Sequence, residues 1–254
     1  MAAAFRTYYP FPVSADATEL TLPPSESAHL IRSLRARPGE PIEAFNGTGQ
    51  SWHGIVLSTT AALTMRIDSR KLHSPKTPAL VLAQVLPKYG VMDEIVRASV
   101  EIGVAEIHPL FSERCETHLD DPKIAARMKR WNSIAIEACK QSGNPFPPRI
   151  ACPEPLKTWL LRPMKNTLRM AGSLESTAKP LSSIPTSPAA PGAVGWEKLL
   201  LLIGPEGDFS PNEYALIRQQ GTLPVRFGEN TLRVPTAALY ALAALDQLRQ
   251  RISG

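Results

Sequence analysis

Two stretches near the C-terminus decide the fold. The first runs Leu199-Leu200-Leu201-Leu202-Ile203-Gly204-Pro205-Glu206-Gly207-Asp208-Phe209-Ser210. The second runs Phe227-Gly228-Glu229-Asn230-Thr231-Leu232-Arg233-Val234-Pro235-Thr236 and opens an Ala/Leu-rich segment. Each reads as a buried strand, a Gly-containing loop and a helix start. Glycine at a strand end lets a ligand approach the main chain closely, because no Cβ stands in the way. Two such loops close together in the chain point to one pocket built largely from peptide groups.

Around these stretches, strand and helix alternate from residue 79 onward. Leu80 to Leu86 is continuously apolar, as in a strand buried on both faces. Val91 to Ile102 is helical, with Gly103 as its stop. Glu106 to Phe111 is the next strand. Ile124, Met128, Trp131, Ala135, Ala138 and Ser142 step by three and four along one helix face, which Gly143 and Pro145 end. Thr167 to Ala171 is a short strand. Residues 172–198, rich in Ser, Pro, Ala and Gly, read as a flexible surface insertion. Ser210-Pro211-Asn212-Glu213 has the form of a capping box with proline at the first helical position, and Gly221 closes that helix. Val225 to Phe227 is the last strand and Thr236 to Arg251 the last helix, with Arg249 and Arg251 near its negative end. This alternation predicts an α/β fold with a parallel sheet covered on both faces.

Residues 1–75 differ. Ser25 to Arg35 is a short helical candidate that would place Arg32 and Arg35 on one face. Pro41 to Phe45 and Ser51 to Leu57 flank Asn46-Gly47-Thr48-Gly49-Gln50, a hairpin signal. Leu63 to Ile67 alternates as a strand, and Ser74 to Pro78 reads as a linker. The expectation is a small β-barrel domain over 1–75 and an α/β domain over 76–254.

The bulk numbers fit a soluble intracellular protein. The chain has 254 residues, 43% hydrophobic and 20% charged, enough for a sizeable core. Its formal charge is +5, and residues 122–150 alone carry as much, with Lys123, Arg127, Lys129, Arg130, Lys140 and Arg149 against Glu137. That concentration suits either a polyanionic partner or simply a solvated helix face. Cys115, Cys139 and Cys152 form no Cys-x-x-Cys pair, so free thiols in a reducing cytosol are expected, with no metal site. His29, His53, His73, His108 and His118 lack metal-ligand spacing. No signal peptide or bilayer-spanning run is expected. There is no dinucleotide fingerprint, Walker lysine motif or nucleophile elbow.

In order along the chain, several segments make a pattern. They are His29-Leu30-Ile31-Arg32-Ser33-Leu34-Arg35 with Gly39, Phe45-Asn46-Gly47-Thr48-Gly49, Leu86-Pro87-Lys88 and Glu101-Ile102-Gly103-Val104. Pro109-Leu110 with Glu113-Arg114 follows, then Trp131 and Ile134 to Gly143 ending Gln-Ser-Gly, then the two C-terminal loops. In this order and spacing the chain resembles the RsmE family of SPOUT methyltransferases, across nearly its whole length.

The resemblance implies a C-terminal α/β domain with a deep trefoil knot, a rare exception to unknotted topology, and an N-terminal PUA-like RNA-binding β-barrel. It implies S-adenosylmethionine-dependent methylation of a uridine N3 in 16S rRNA within the small ribosomal subunit, near the decoding centre, by a cytoplasmic homodimer. The cofactor would be held by Ala171, Gly172, Ile203, Gly204, Pro205, Glu206, Gly207, Phe227, Gly228, Leu232, Arg233 and Thr236. Uracil must lose its imide proton, so Glu206 and Glu229 are candidate carboxylates and Arg233 a candidate stabiliser of the base anion. Arg32, Arg35, Lys88, Arg114, Lys129, Arg130 and Lys140 are candidate RNA contacts.

Three positions depart from the family pattern. Asp208 stands where glycine is usual, Pro235 where glutamate is usual, and Asn144 where arginine is usual. They leave two alternatives open: a non-catalytic RNA-binding or ribosome-assembly factor with the fold retained, and a SPOUT methyltransferase with a different RNA target.

Overall fold

The computed structural model describes residues 5–88, 90–115, 121–184 and 195–253; His118 and residues 185–194 of the Ser/Pro/Ala-rich stretch lie outside them. The chain divides into two compact units, residues 1–75 with 136–147, and residues 76–135 with 148–254.

The first unit is built on one five-stranded sheet. Its elements are β1 (Phe5–Tyr8), β2 (Glu19–Thr21), α1 (Pro24–Ala28), a π-helical turn (His29–Ser33), β3 (Pro41–Phe45), β4 (Gln50–Ser58) and β5 (Thr64–Leu72). The strand order β1-β3-β4-β5-β2 leaves β1 and β2 as edges, so the sheet is an open half-barrel rather than a closed one. The 45–51 hairpin forms as expected, pairing Phe45 with Ser51. Leu20, Leu22, Leu30, Ile42, Trp52, Val56 and Met65 fill its core.

Within β4 the register against β5 shifts between His53 and Gly54. A Cβ on Gly54 would fall on the Arg66 carbonyl oxygen, well inside any van der Waals separation. The glycine is therefore what allows this bulge, and the bulge bends the strand. The helical turn ends earlier than its sequence suggests. It stops at Ser33, and Arg35 adopts φ 55°, so Arg32 and Arg35 do not share a helix face. The end of the 121–142 helix belongs to this unit. There Lys140 pairs with Glu26 at 3.1 Å and with Glu137 at 2.6 Å, its side chain only 8% exposed.

The second unit carries an all-parallel sheet. Its elements are β6 (Ala79–Val85), α2 (Val91–Ile102), β7 (Glu106–Phe111), α3 (Asp121–Ser142, whose end lies in the first unit), β8 (Arg149–Ile150), β9 (Glu154–Pro155), α4 (Leu156–Leu160), β10 (Thr167–Gly172), β11 (Lys179–Pro180), β12 (Lys198–Ile203), α5 (Pro211–Gln219), β13 (Leu223–Arg226) and α6 (Val234–Ser253). The order is β11-β13-β10-β12-β6-β7-β8, with β9 pairing further along β7. The apolar runs stack at the centre, Leu199 beside Leu80 and Leu201 beside Leu82. Both rows are fully buried, as strands covered on two faces require. α6 packs on β6, β12 and α2, presenting Ala238, Ala241, Leu242 and Leu245 to them.

Three sequence expectations change here. The 172–198 stretch is not simply an insertion: Lys179–Pro180 pairs with β13, and Ser173 and Ala178 are buried. The last strand begins at Leu223 and ends at Arg226, and the last helix begins at Val234. Arg249 is 2% exposed instead of sitting at a solvated helix end. It bonds Asp246, and reaches the carbonyl of Gly103 at the end of α2.

Glu106, at the start of β7, collects three cationic or donor groups: His108 Nε2 at 3.1 Å, Lys198 Nζ at 2.5 Å and Arg149 Nη2 at 2.7 Å. The His108 bond first, then Lys198 and Arg149, hold its carboxyl far below the usual range, against the opposing effect of burial. A carboxyl depressed in the folded state adds stability above its unfolded pKa of about 4.3 and loses it as pH falls below. Glu106→Gln is expected to lower stability by roughly 2 kcal/mol near neutrality. The gap to wild type should close during acid titration followed by circular dichroism; a gap independent of pH would show the cluster to be electrostatically idle.

Candidate active site

The carboxyl ends of three adjacent strands, β10, β12 and β13, open onto a cavity of about 900 Å³. Crevices at this edge of a parallel sheet are where such folds bind ligands. The loop after β10 contributes Gly172 to Ser176, the loop after β12 Ile203 to Glu206 and Asp208, and the loop after β13 Arg226 to Pro235. Val91 and Glu94, at the start of α2, complete the lining with Ala237.

Local sequence explains why each loop stands as it does. Ser210 caps α5, accepting from Glu213 N–H at 3.2 Å, while Glu213 accepts from Ser210 N–H at 2.9 Å. The other Glu213 oxygen takes the Glu113 N–H at 2.9 Å, fastening the helix start to the end of β7. The β12 loop is held at two further points. Glu206 Oε1 accepts the Lys88 main-chain N–H at 3.0 Å, and the Gly207 carbonyl accepts from Arg114 Nη1 at 2.8 Å. The β10 loop is tied to β13 by Ser173 N–H to the Val225 carbonyl at 2.9 Å. In the β13 loop, the Arg233 carbonyl accepts from Ala237 N–H at 2.8 Å and so starts α6.

Two glycines allow the close packing beneath the cavity. A Cβ on Gly172 would stand 2.9 Å from the Phe227 ring, and one on Gly204 would stand 3.2 Å from the Phe209 ring. Main chain therefore packs directly on the aromatic rings, leaving peptide groups at the cavity wall. The charged lining is mixed but acidic in balance: Glu94, Glu206, Asp208 and Glu229 against Arg226 and Arg233, with the fifth carboxylate, Glu175, paired to Arg218 behind the wall. Such a cleft attracts cations.

Of the residues expected to hold a cofactor, Gly172, Ile203, Gly204, Pro205, Glu206, Phe227, Gly228, Leu232 and Arg233 line this one cavity. Three do not. Ala171 is fully buried inside β10, Gly207 lies against the Arg114 side chain, and Thr236 faces away in the first turn of α6. Val91, Glu94, Glu175 and Asp208 were not expected in the lining. Helical periodicity located Val91 and Glu94 on α2, but no local signal says which strand ends that helix start meets.

The three departures from the family pattern are each accommodated locally. Asp208 has φ 59°, a conformation favouring glycine, and its carboxylate accepts from the Tyr214 hydroxyl at 2.8 Å. Pro235 sits in the first turn of α6, where it removes no helical bond. Asn144 ends α3 in a local turn, its Oδ1 accepting the Phe146 N–H at 3.0 Å.

The basic candidates separate. Arg32 and Arg35 are exposed on the first unit. Lys88, Arg114, Lys129 and Arg130 are exposed on the second, with Arg130 also paired to Asp93 at 2.6 Å. Lys140 is corrected: it is buried between Glu26 and Glu137 and is no surface phosphate contact. Among the described residues no three His, Cys, Asp or Glu side chains gather into a metal-holding group, and no helix is long and apolar enough to cross a membrane.

Comparison with known proteins agrees in extent. The RNA methyltransferase domain family matches residues 74–246. The ribosomal RNA small subunit methyltransferase E of Buchnera aphidicola subsp. Schizaphis graminum is 29% identical over 232 residues, covering 89% of each chain. The same-named protein of Neisseria gonorrhoeae, solved bound to S-adenosyl methionine, aligns with TM-score 0.85 at 29% identity over 97% of this chain and 98% of that one. A putative methyltransferase of Legionella pneumophila, solved with bound SAM, aligns with TM-score 0.84 at 30% identity over the same shares.

Proposed function

The chain belongs to the ribosomal RNA small subunit methyltransferase E family of RNA methyltransferases, and on that premise we propose that it methylates the N3 atom of a uridine in 16S rRNA near the decoding centre, with S-adenosylmethionine as methyl donor. One observation carries the reading. Three neighbouring strand ends build a cavity from main chain, with carboxylates outnumbering guanidiniums. That wall suits a nucleoside whose sulfur bears a positive charge.

The residues fit the donor. Gly172 and Gly204 keep the wall free of Cβ atoms, and Ile203, Phe227 and Leu232 supply apolar surface. Bound there, S-adenosylmethionine supplies an electrophilic methyl group. The chain does the rest. Holding both reactants in line removes much of the entropic barrier. Uracil N3 carries a proton that must leave, and Glu206, fixed by the Lys88 N–H, is the carboxylate proposed to take it. Arg233, exposed at the cavity rim, stabilises the negative charge that develops on the base.

The small-subunit RNA would be gripped through Arg32, Arg35, Lys88, Arg114, Lys129 and Arg130. The first unit would serve as the PUA-like RNA-binding module. Knotted threading of the second unit, assembly as a homodimer and a cytoplasmic site of action belong to the same proposal. Mass mapping of ribosomal RNA from cells lacking the protein tests it. One uridine of the small subunit should lose a single methyl group, and the wild-type chain should restore it. An unchanged map, or a missing methyl on another base or atom, would overturn the assignment.

A further inference from the structure

α5 carries two side chains that reach back to different cavity loops. Tyr214 and Arg218 stand one helical turn apart, so they neighbour each other on its surface. The Tyr214 hydroxyl donates to the Asp208 carboxylate, 2.8 Å from both oxygens, in the loop after β12. Ser173 and the Leu174 main chain, in the loop after β10, approach the same hydroxyl. Arg218 Nη1 donates to both oxygens of Glu175 in that second loop, at 2.8 and 2.7 Å. Its guanidinium lies 6.0 Å from the Tyr214 ring centre. The Tyr214 ring is itself 5% exposed and packs edge-on against Phe209 at 5.4 Å.

Asp208 makes this arrangement informative. Its φ of 59° is a conformation in which glycine is at ease and a Cβ is strained. Such a residue persists only where its surroundings over-determine it. Here the surroundings are the tyrosine hydroxyl, a donor to a carboxylate and so stronger than a neutral pair. Neither Tyr214 nor Arg218 lines the cavity.

We propose that Tyr214, with Arg218 beside it, is a positioning residue that clips the loops after β10 and β12 together and keeps the cofactor crevice in its binding shape. The inference rests on the cofactor reading above. Loops that must be ordered at the moment of binding subtract that cost from affinity, and a crevice competent only part of the time binds in proportion. A clip made in advance removes both losses. Its effect falls on binding rather than on the chemical step, because neither side chain touches the reacting atoms.

The full chain is tested as wild type and as Tyr214→Phe, by two readouts. Without ligand, amide hydrogen exchange in residues 173–176 and 206–209 should rise together by about tenfold in the variant, while β12 stays protected. By calorimetry, Kd for S-adenosylmethionine should rise about tenfold, with kcat at saturating cofactor changed less than about twofold. Adding Asp208→Gly to Tyr214→Phe should bring little further loss, since strained residue and partner leave together. A variant with lowered Tm but unchanged Kd would make Tyr214 a packing residue only and overturn the clip. So would unchanged exchange in 173–176, whatever the cofactor result. Wild-type protein that binds no S-adenosylmethionine, beside a variant whose loops both loosen, would overturn the cofactor reading and leave the clip standing. If Tyr214→Phe unfolds globally, Arg218→Gln is read in its place: faster exchange confined to 173–176 supports the clip, and none overturns it.

Discussion

Gly54→Ala is expected to destabilise the first unit by roughly 3–5 kcal/mol, among the largest single-residue effects in the chain. The added Cβ meets backbone, the Arg66 carbonyl, and would also stand 3.3 Å from the Asp68 nitrogen. No rotamer change clears a carbonyl. The strand must either spread from β5 or slip by one residue. A slip would turn Trp52 and Val56, now 2% and 1% exposed, to the opposite face and expose the core they fill. Gly39→Ala is the comparison. That glycine has φ 89° but nothing within 4 Å of a Cβ, so only conformational strain of about 1 kcal/mol is expected. Urea denaturation of both variants decides it. Equal small losses would mean that the bulge in β4 yields without cost.

Arg233→Ala should reduce kcat by about 10²–10³ with folding left intact. The side chain is exposed at the cavity rim, while the structural duty of the residue belongs to its carbonyl, which starts α6 by accepting from Ala237 at 2.8 Å. Alanine keeps that bond, so stability should move by no more than about 0.5 kcal/mol. Lysine at the same position keeps the charge without the planar fork and should recover only part of the rate. Single-turnover methylation of small-subunit RNA separates the step from product release. If turnover and cofactor affinity both survive the alanine substitution, Arg233 has no part in the reaction.

Much of the second unit was legible because its signals are local. The apolar runs 80–86 and 199–203 became β6 and β12 almost residue for residue, and Ser210 with Glu213 formed the expected capping box. Val91–Ile102 matched α2, with Gly103 at φ 90° closing it. What sequence missed depends on distant partners. β8, β9 and β11 are two residues each and exist only beside a neighbouring strand. Lys140 reads as one more cation on a basic helix until Glu26, 114 positions earlier, is found against it. Arg249 looks like a solvated helix end until the close of α2 is placed beside it. The loops after β12 and β13 were readable as lining one pocket, and they do line one cavity. The β10 loop was marked only at its start, Ala171 and Gly172, through the family resemblance; the composition of the stretch beyond suggested only a connector, although Ser173 to Ser176 line the cavity.

The acidic balance of the cavity wall bears on turnover as well as on capture. Once the methyl group has left, the sulfur of the donor is an uncharged thioether. With the donor seated there as proposed, a lining in which carboxylates stay in excess even after Glu175 pairs with Arg218 is expected to hold that neutral remnant less firmly than the cation it came from. Spent and fresh molecules are then expected to compete on unequal terms in favour of reloading, and competition calorimetry with the two forms checks it. Raising ionic strength should narrow that preference, since screening weakens the very attraction that tells them apart.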